Sequence, residues 1–159
     1  MSAIVIVDSS VLLNIINVPG RNQHRDEVFN RLNGLIESGD HLFIPMAAIV
    51  EVGNHIAHVG NGSLRRDAAK RFVSEVRKAL KEEAPWKPIS FPSNAEVLSW
   101  LDAFPDSATK EVGMGDLSIR KDWEASCLKY PMRHVWVWTL DRDLAGLDHP
   151  ASHRWPSRQ

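Results

Sequence analysis

Three features of the chain predict an α/β fold with a central, mostly parallel sheet. Ala3-Ile4-Val5-Ile6-Val7 is a run of small and β-branched residues that suits a short strand buried on both faces. Near the other end, Val135-Trp136-Val137-Trp138 is apolar on both alternating faces, as an interior strand must be. Between them, helical periodicities alternate with short strand-like runs, an order that right-handed crossovers lay down as one parallel sheet. The chain has 159 residues, 43% of them hydrophobic, enough for one ordinary core and short for two. A single domain over 1–148 is expected, followed by a mobile tail at 149–159 rich in Pro, Ser, Arg and His.

Taken in order, Val11, Leu12, Ile15 and Ile16 repeat with helical spacing after Asp8-Ser9-Ser10, until Pro19-Gly20 ends the first helix. Residues 24–38 form an amphipathic helix through Val28, Phe29, Leu32, Leu35 and Ile36, with Gly39-Asp40 as the stop. A short strand over 41–44 leads to Pro45, which suits the first position of a helix running to Ala57. Gly60-Asn61-Gly62-Ser63 breaks the chain, and 64–82 reads as a long helix with Ala69, Phe72, Val73, Val76, Ala79 and Leu80 on one face. Its basic residues, Arg65, Arg66, Lys70, Arg71, Arg77, Lys78 and Lys81, are interleaved with acids and read as a solvated surface.

Residues 85–88 read as a linker and 89–91 as a short extended piece. Ser93 then caps a helix carrying Val97, Leu98, Trp100 and Leu101, stopped by Pro105-Asp106. Gly113-Met114-Gly115-Asp116 opens another helix, with Leu117, Ile119, Trp123, Cys127 and Leu128 inward and Pro131 at its end. Strand 135–138 delivers Thr139-Leu140-Asp141-Arg142-Asp143, and no further strand is legible beyond Asp143.

A net charge of -1 and a pI near 6.7 exclude a global basic field, so nucleic-acid binding would rest on local patches or on metal ions bridging phosphates. The lone Cys127 excludes an internal disulfide and a cysteine-built zinc site; it reads as a small buried residue of a reducing compartment. The beginning of the chain carries no basic leader and Asp8 interrupts its apolar run, so a cytoplasmic, non-membrane protein is expected.

The chemistry gathers in four acids. Asp8 and Asp141 end buried strands, and a parallel sheet brings the carboxyl ends of its strands to one edge, where ligands collect. Ser9 or Ser10 can cap the first helix, which leaves Asp8 free. Glu51 interrupts the apolar Ile49-Val50-Glu51-Val52, and Asp116 lies at a helix start, where the dipole favours a carboxylate. Each has an ordinary reading: a cap, an exposed helical position, an N-terminal acid. Together, without Arg or Lys at matching positions, they would repel unless divalent cations held them. Oxygen donors favour Mg²⁺ or Mn²⁺ over Zn²⁺, and such ions activate water, neutralise a phosphate and stabilise a leaving oxygen. Phosphodiester hydrolysis is the reaction that follows. His55 and His58 stand at helical spacings from Glu51, but without an adjacent His-Glu motif they read as surface or capped residues rather than zinc ligands. An aspartyl-phosphate phosphatase would need an acid where Ser10 stands.

On four segments the chain resembles the PIN-domain ribonucleases, and among them the VapC toxins of bacterial and archaeal toxin–antitoxin pairs. They are Val5-Ile6-Val7-Asp8-Ser9-Ser10-Val11, Ala48-Ile49-Val50-Glu51-Val52, Gly115-Asp116-Leu117-Ser118-Ile119 and Thr139-Leu140-Asp141-Arg142-Asp143-Leu144. Each is short, but four in the right order are specific, and together they span nearly the whole chain. The resemblance implies a three-layer α/β/α PIN-like fold and a catalytic, metal-binding quartet of Asp8, Glu51, Asp116 and Asp141. It adds Asp143 as a further or alternate ligand, and Ser10 and Thr139 as polar neighbours of the metal. It also implies Mg²⁺, or alternatively Mn²⁺, as cofactor, RNA as substrate, and an antitoxin and a second copy of the chain as partners. Leu144 stands where the family often has Phe, and 60–91 is generous for a minimal toxin. The rival reading is a catalytically silent RNA-binding or scaffolding protein of the same fold, which would have no need to keep all four acids. Of the six tryptophans, Trp86 and Trp155 are the candidates for stacking on bases, the others reading as core-facing.

Overall fold

The computed structural model describes residues 2–151. The chain runs β1 (Ile4–Val7), α1 (Ser9–Ile16), α2 (Arg25–Glu37), β2 (His41–Ile44), α3 (Met46–Ala57), α4 (Gly62–Leu80) and β3 (Trp86–Pro88). It continues through α5 (Asn94–Thr109), α6 (Met114–Lys129), β4 (Val135–Trp138) and β5 (Asp148–His149). The sheet order is β3-β2-β1-β4-β5, with β1 parallel to β2 and β4, β2 parallel to β3, and β5 antiparallel to β4. From β1 the chain builds outward through β2 to β3 and then returns to add β4 on the other side. The order therefore reverses at the β1–β4 boundary, where open α/β sheets bind ligands beyond their carboxyl ends.

Strand alternation divides the core between two faces. Val5, Val7, Leu42, Ile44 and Trp138 pack with α1 through α4, and Ile6 and Val137 pack with Ile119 of α6 and with Leu144 and Leu147. Leu144 is buried beside Ile6. Trp123 ties α6 to the sheet by donating Nε1–H to the Val135 carbonyl at 3.1 Å. None of the described helices is long and apolar enough to cross a membrane.

Several elements differ from the expectation. The α1 helix stops at Ile16, before Pro19-Gly20, because Asn17 turns left-handed (φ 62°) and the Val18 amide closes onto the Leu13 carbonyl. Pro45 is extended and precedes α3 instead of starting it. The supposed linker contains β3: Trp86 and Pro88 register on Leu42 and Ile44, and strand 89–91 is replaced by coil. Trp86 is only 6% exposed, so its packing removes it as a base-stacking residue. Ser93 does cap α5, accepting from the Glu96 amide at 3.2 Å and donating to its carboxylate, but the helix runs on through Pro105 to Thr109. The carbonyl that Pro105 leaves unbonded belongs to a helix with no fully buried residue, so water can satisfy it.

The inward faces assigned to the later helices are also corrected. Leu98 and Leu101 are exposed because α5 packs on α6 rather than on the sheet, and α6 itself meets the sheet through its first turns, around Leu117 and Ile119, which leaves Cys127 half-buried and Leu128 84% exposed. Val73 and Leu80 of α4 are exposed too, while Ala68 and Ala79 face the core. The basic face of α4 is partly structural: Arg71 donates to the Ile16 and Asn17 carbonyls at 2.9 and 2.8 Å, and Arg65 to the Val59 carbonyl at 2.8 Å. A strand does follow Asp143. His149, expected to begin the mobile tail, lies in β5 opposite Val135, next to a His134–Asp148 ion pair. Trp155 and the rest of 152–159 lie outside the described residues.

Candidate active site

Asp8 leaves β1 at the reversal of strand order, and its amide bonds the Trp138 carbonyl of β4 at 3.0 Å. It occupies the position before α1 without capping the helix through its side chain. Ser9 and Ser10 are not caps either. They form the first residues of α1 and donate to Asp8 Oδ1 at 3.3 Å and Oδ2 at 2.9 Å, and Thr139 donates to Oδ2 at 2.8 Å. The carboxylate is 2% exposed and held by three hydroxyls, which offset the cost of burying it.

The same hydroxyls shape the loop after β4. Ser10 Oγ accepts from the Leu140 amide and Thr139 Oγ1 from the Asp141 amide, both at 2.9 Å; Asp141 in turn accepts from the Asp143 amide at 3.1 Å. The loop is thereby folded so that Asp141 and Asp143 turn back toward Asp116 in the first turn of α6. One carboxylate oxygen from each of these three residues lies within 4.8 Å of the other two. Asp116 also feels the remaining acids. Its pKa is pushed up to about 6, first by burial and then by the charges of Asp8, Asp141, Glu51 and Asp143.

Glu51 stands on α3 at the rim, its side chain 43% exposed, with Oε1 3.6 Å from His55 Nε2. His58 turns away to the Asn54 carbonyl at 2.7 Å, so it does not share the site with Glu51 and His55. No Lys or Arg among the described residues forms an ion pair with Asp8, Glu51, Asp116, Asp141 or Asp143. The expected residues are thus brought into one neighbourhood, with Asp116, Asp141 and Asp143 tightest, Asp8 buried beneath, and Glu51 at the edge. An all-oxygen anionic donor set of this kind fits a hard divalent cation better than zinc.

The sequence reading missed a cavity of about 590 Å³ that opens beside Glu51 and Asp116 and is lined in part by Trp100 and Asp122. Asp122 is half-buried, and its pKa is raised to about 6 by burial and by Glu96. In the sequence it sits among the charges of Lys121-Asp122-Trp123-Glu124, where nothing separates it from a solvated helix face.

No protein-family model matches the sequence, and no curated protein matches it. The structure is similar to a chain of VapBC2 from Rickettsia felis, solved bound to a DNA fragment from their promoter, with a TM-score of 0.54. The two are 16% identical, and the match covers 85% of this chain and 98% of that one. At that identity the likeness is one of fold, and the fold of this chain is the three-layer, PIN-like α/β/α architecture expected from its four acidic motifs.

Proposed function

We propose that the chain is a Mg²⁺- or Mn²⁺-dependent ribonuclease, the toxin of a type II toxin–antitoxin pair, which hydrolyses RNA phosphodiester bonds. The observation that carries this reading is the electrostatic state of Asp116. A carboxyl whose pKa is raised to about 6, first by burial and then by four neighbouring acids, with no Lys or Arg paired to any of them among the described residues, is a site short of positive charge. A divalent cation supplies that charge, and the similarity of fold to a VapBC2 chain supports a ribonuclease acting with an antitoxin.

Asp116, Asp141 and Asp143 would hold the ion, with Asp8 below them as a further ligand whose orientation Ser10 and Thr139 fix. The bound ion supplies Lewis acidity toward a phosphate and neutralises its charge. The protein's own part is to orient those oxygens and to manage one proton. Glu51 Oε1, which lies 3.6 Å from His55 Nε2, would take it from the incoming water and pass it to the leaving oxygen. Val50, Leu98, Leu101 and Leu128 are exposed apolar side chains, which suits a chain with an antitoxin and a second copy of itself as partners.

The test is cleavage of unstructured RNA by the purified chain with Mg²⁺ or Mn²⁺, with EDTA, and by Asp116→Asn. Cleavage that EDTA and the substitution both abolish supports the proposal. RNA binding without cleavage under any of these conditions would establish the silent reading instead.

A further inference from the structure

We infer that the cavity beside Asp116 binds one unpaired guanine base of the RNA, with Trp100 stacking on the ring and Asp122 accepting hydrogen bonds from its Watson–Crick edge. The inference rests on the ribonuclease reading for the identity of the strand, and on the cavity itself for the base.

Glu51 and Asp116 belong both to the acidic cluster and to the cavity wall, so a nucleotide there would adjoin the one whose phosphate meets the acids. The cavity, about 590 Å³, falls in the roughly 300–1,000 Å³ range of small-molecule sites. Its walls are largely apolar, with Met46 and Val50 from α3, Ile89 after β3 and Met114 from α6. Besides the acids shared with the cluster, the polar groups that interrupt them include the half-buried Trp100 indole and Asp122 carboxyl and the exposed Asn54 amide and Ser90 hydroxyl. Among the described residues none of these four side chains has a hydrogen-bond partner. Polar groups free to bond a ligand, set among apolar walls, are what an aromatic, hydrogen-bonding ligand requires.

The carboxyl selects the base. Guanine presents two adjacent donors, N1–H and the exocyclic amine, to the two oxygens of one carboxylate. Adenine and cytosine pair a single amine with a neighbouring ring acceptor, and uracil flanks its N3–H with two carbonyls, so each sets an acceptor against Asp122. The half-buried Trp100 ring offers a stacking face, which single-stranded binding sites use regardless of base. An apolar peptide side chain in the same cavity would leave Asp122 without a donor, which disfavours a protein occupant.

Two measurements test this. In EDTA, saturation-transfer NMR titrations of 5′-GMP, AMP, CMP and UMP should show GMP binding about tenfold tighter than the others. Asp122→Asn should erase that preference, and Trp100→Ala should weaken all four while Trp100→Phe restores binding. Thermal melts confirm that each variant is folded, and Asp122→Asn with Trp100→Phe decide the matter if Trp100→Ala is not. In Mg²⁺ or Mn²⁺, adenine-tract strands carrying a single G, C or U should be cut at a fixed offset from G. Loss of GMP binding alongside base-independent cutting overturns the guanine site and leaves the ribonuclease intact. GMP preference without cleavage of any strand upholds the site and overturns the ribonuclease. A preference that survives Asp122→Asn overturns the role of Asp122.

Discussion

Thr139 Oγ1 donates to Asp8 Oδ2 at 2.8 Å, joining residues 131 positions apart at the carboxyl ends of β1 and β4. The same oxygen accepts from the Asp141 amide, so one hydroxyl orients the buried acid and sets the start of the loop that carries the next two. Thr139→Val keeps the shape and removes both bonds. Loss of a polar group that orients a metal ligand typically costs about 10–100-fold in metal affinity or activity, and that range is expected for RNA cleavage. A stability loss of about 1 kcal/mol in urea unfolding should accompany it. Thr139→Ser, which retains the hydroxyl, should retain most of the activity; equal loss in both variants would show that the hydrogen bonds are not what matters.

Proton and metal should compete for Asp116. Its native pKa of about 6 lies above the ordinary 3.8, so between those values the folded chain binds more protons than the unfolded one. Without metal, stability contributed by this group is therefore present at low pH, declines as pH rises from about 4 to about 6, and is level above. Divalent metal needs the ionised form. The increase in melting temperature on adding Mg²⁺ or Mn²⁺ should be large near pH 8 and shrink as pH falls through about 6. In Asp116→Asn this carboxyl's contribution to the pH slope should vanish and most of the metal-induced increase should go with it, both read by thermal melts.

Arg71 acts as a brace for α1. Its two bonds to the Ile16 and Asn17 carbonyls satisfy acceptors that the end of that helix leaves open. Arg71→Met should cost about 1–3 kcal/mol in urea unfolding, while the folded protein cleaves RNA at the unaltered rate. A variant of normal stability with impaired cleavage would instead give this part of α4 an RNA-facing role.

How far the sequence carried the fold depends on how locally each element is determined. Ile4–Val7 and Val135–Trp138 are legible because apolar β-branched and aromatic runs of strand length suit a two-sided core, and Ser93 with Glu96 because a cap needs only four consecutive residues. β3 was hidden because Trp86-Lys87-Pro88 carries no strand signature of its own and is held by its register on β2. The exposed faces of α5 and α6 were misread for a related reason. Their apolar periodicity is real, but periodicity does not say whether a helix meets the sheet or another helix.

The candidate site divides along the same line. Topology alone was enough to bring Asp8 and Asp141 together, since a parallel sheet gathers the ends of its strands, and the short acidic motifs named Asp116, Glu51 and Asp143. Only the tertiary structure ranks them. It gathers Asp116, Asp141 and Asp143 into one cluster, buries Asp8 under three hydroxyls, leaves Glu51 beside His55 at the rim, and opens the cavity with Trp100 and Asp122. Strand ends and caps are written in neighbouring residues and can be read one segment at a time. Burial, charge coupling and the partnering of polar groups depend on side chains distant in the chain, and exist only once the layers have packed.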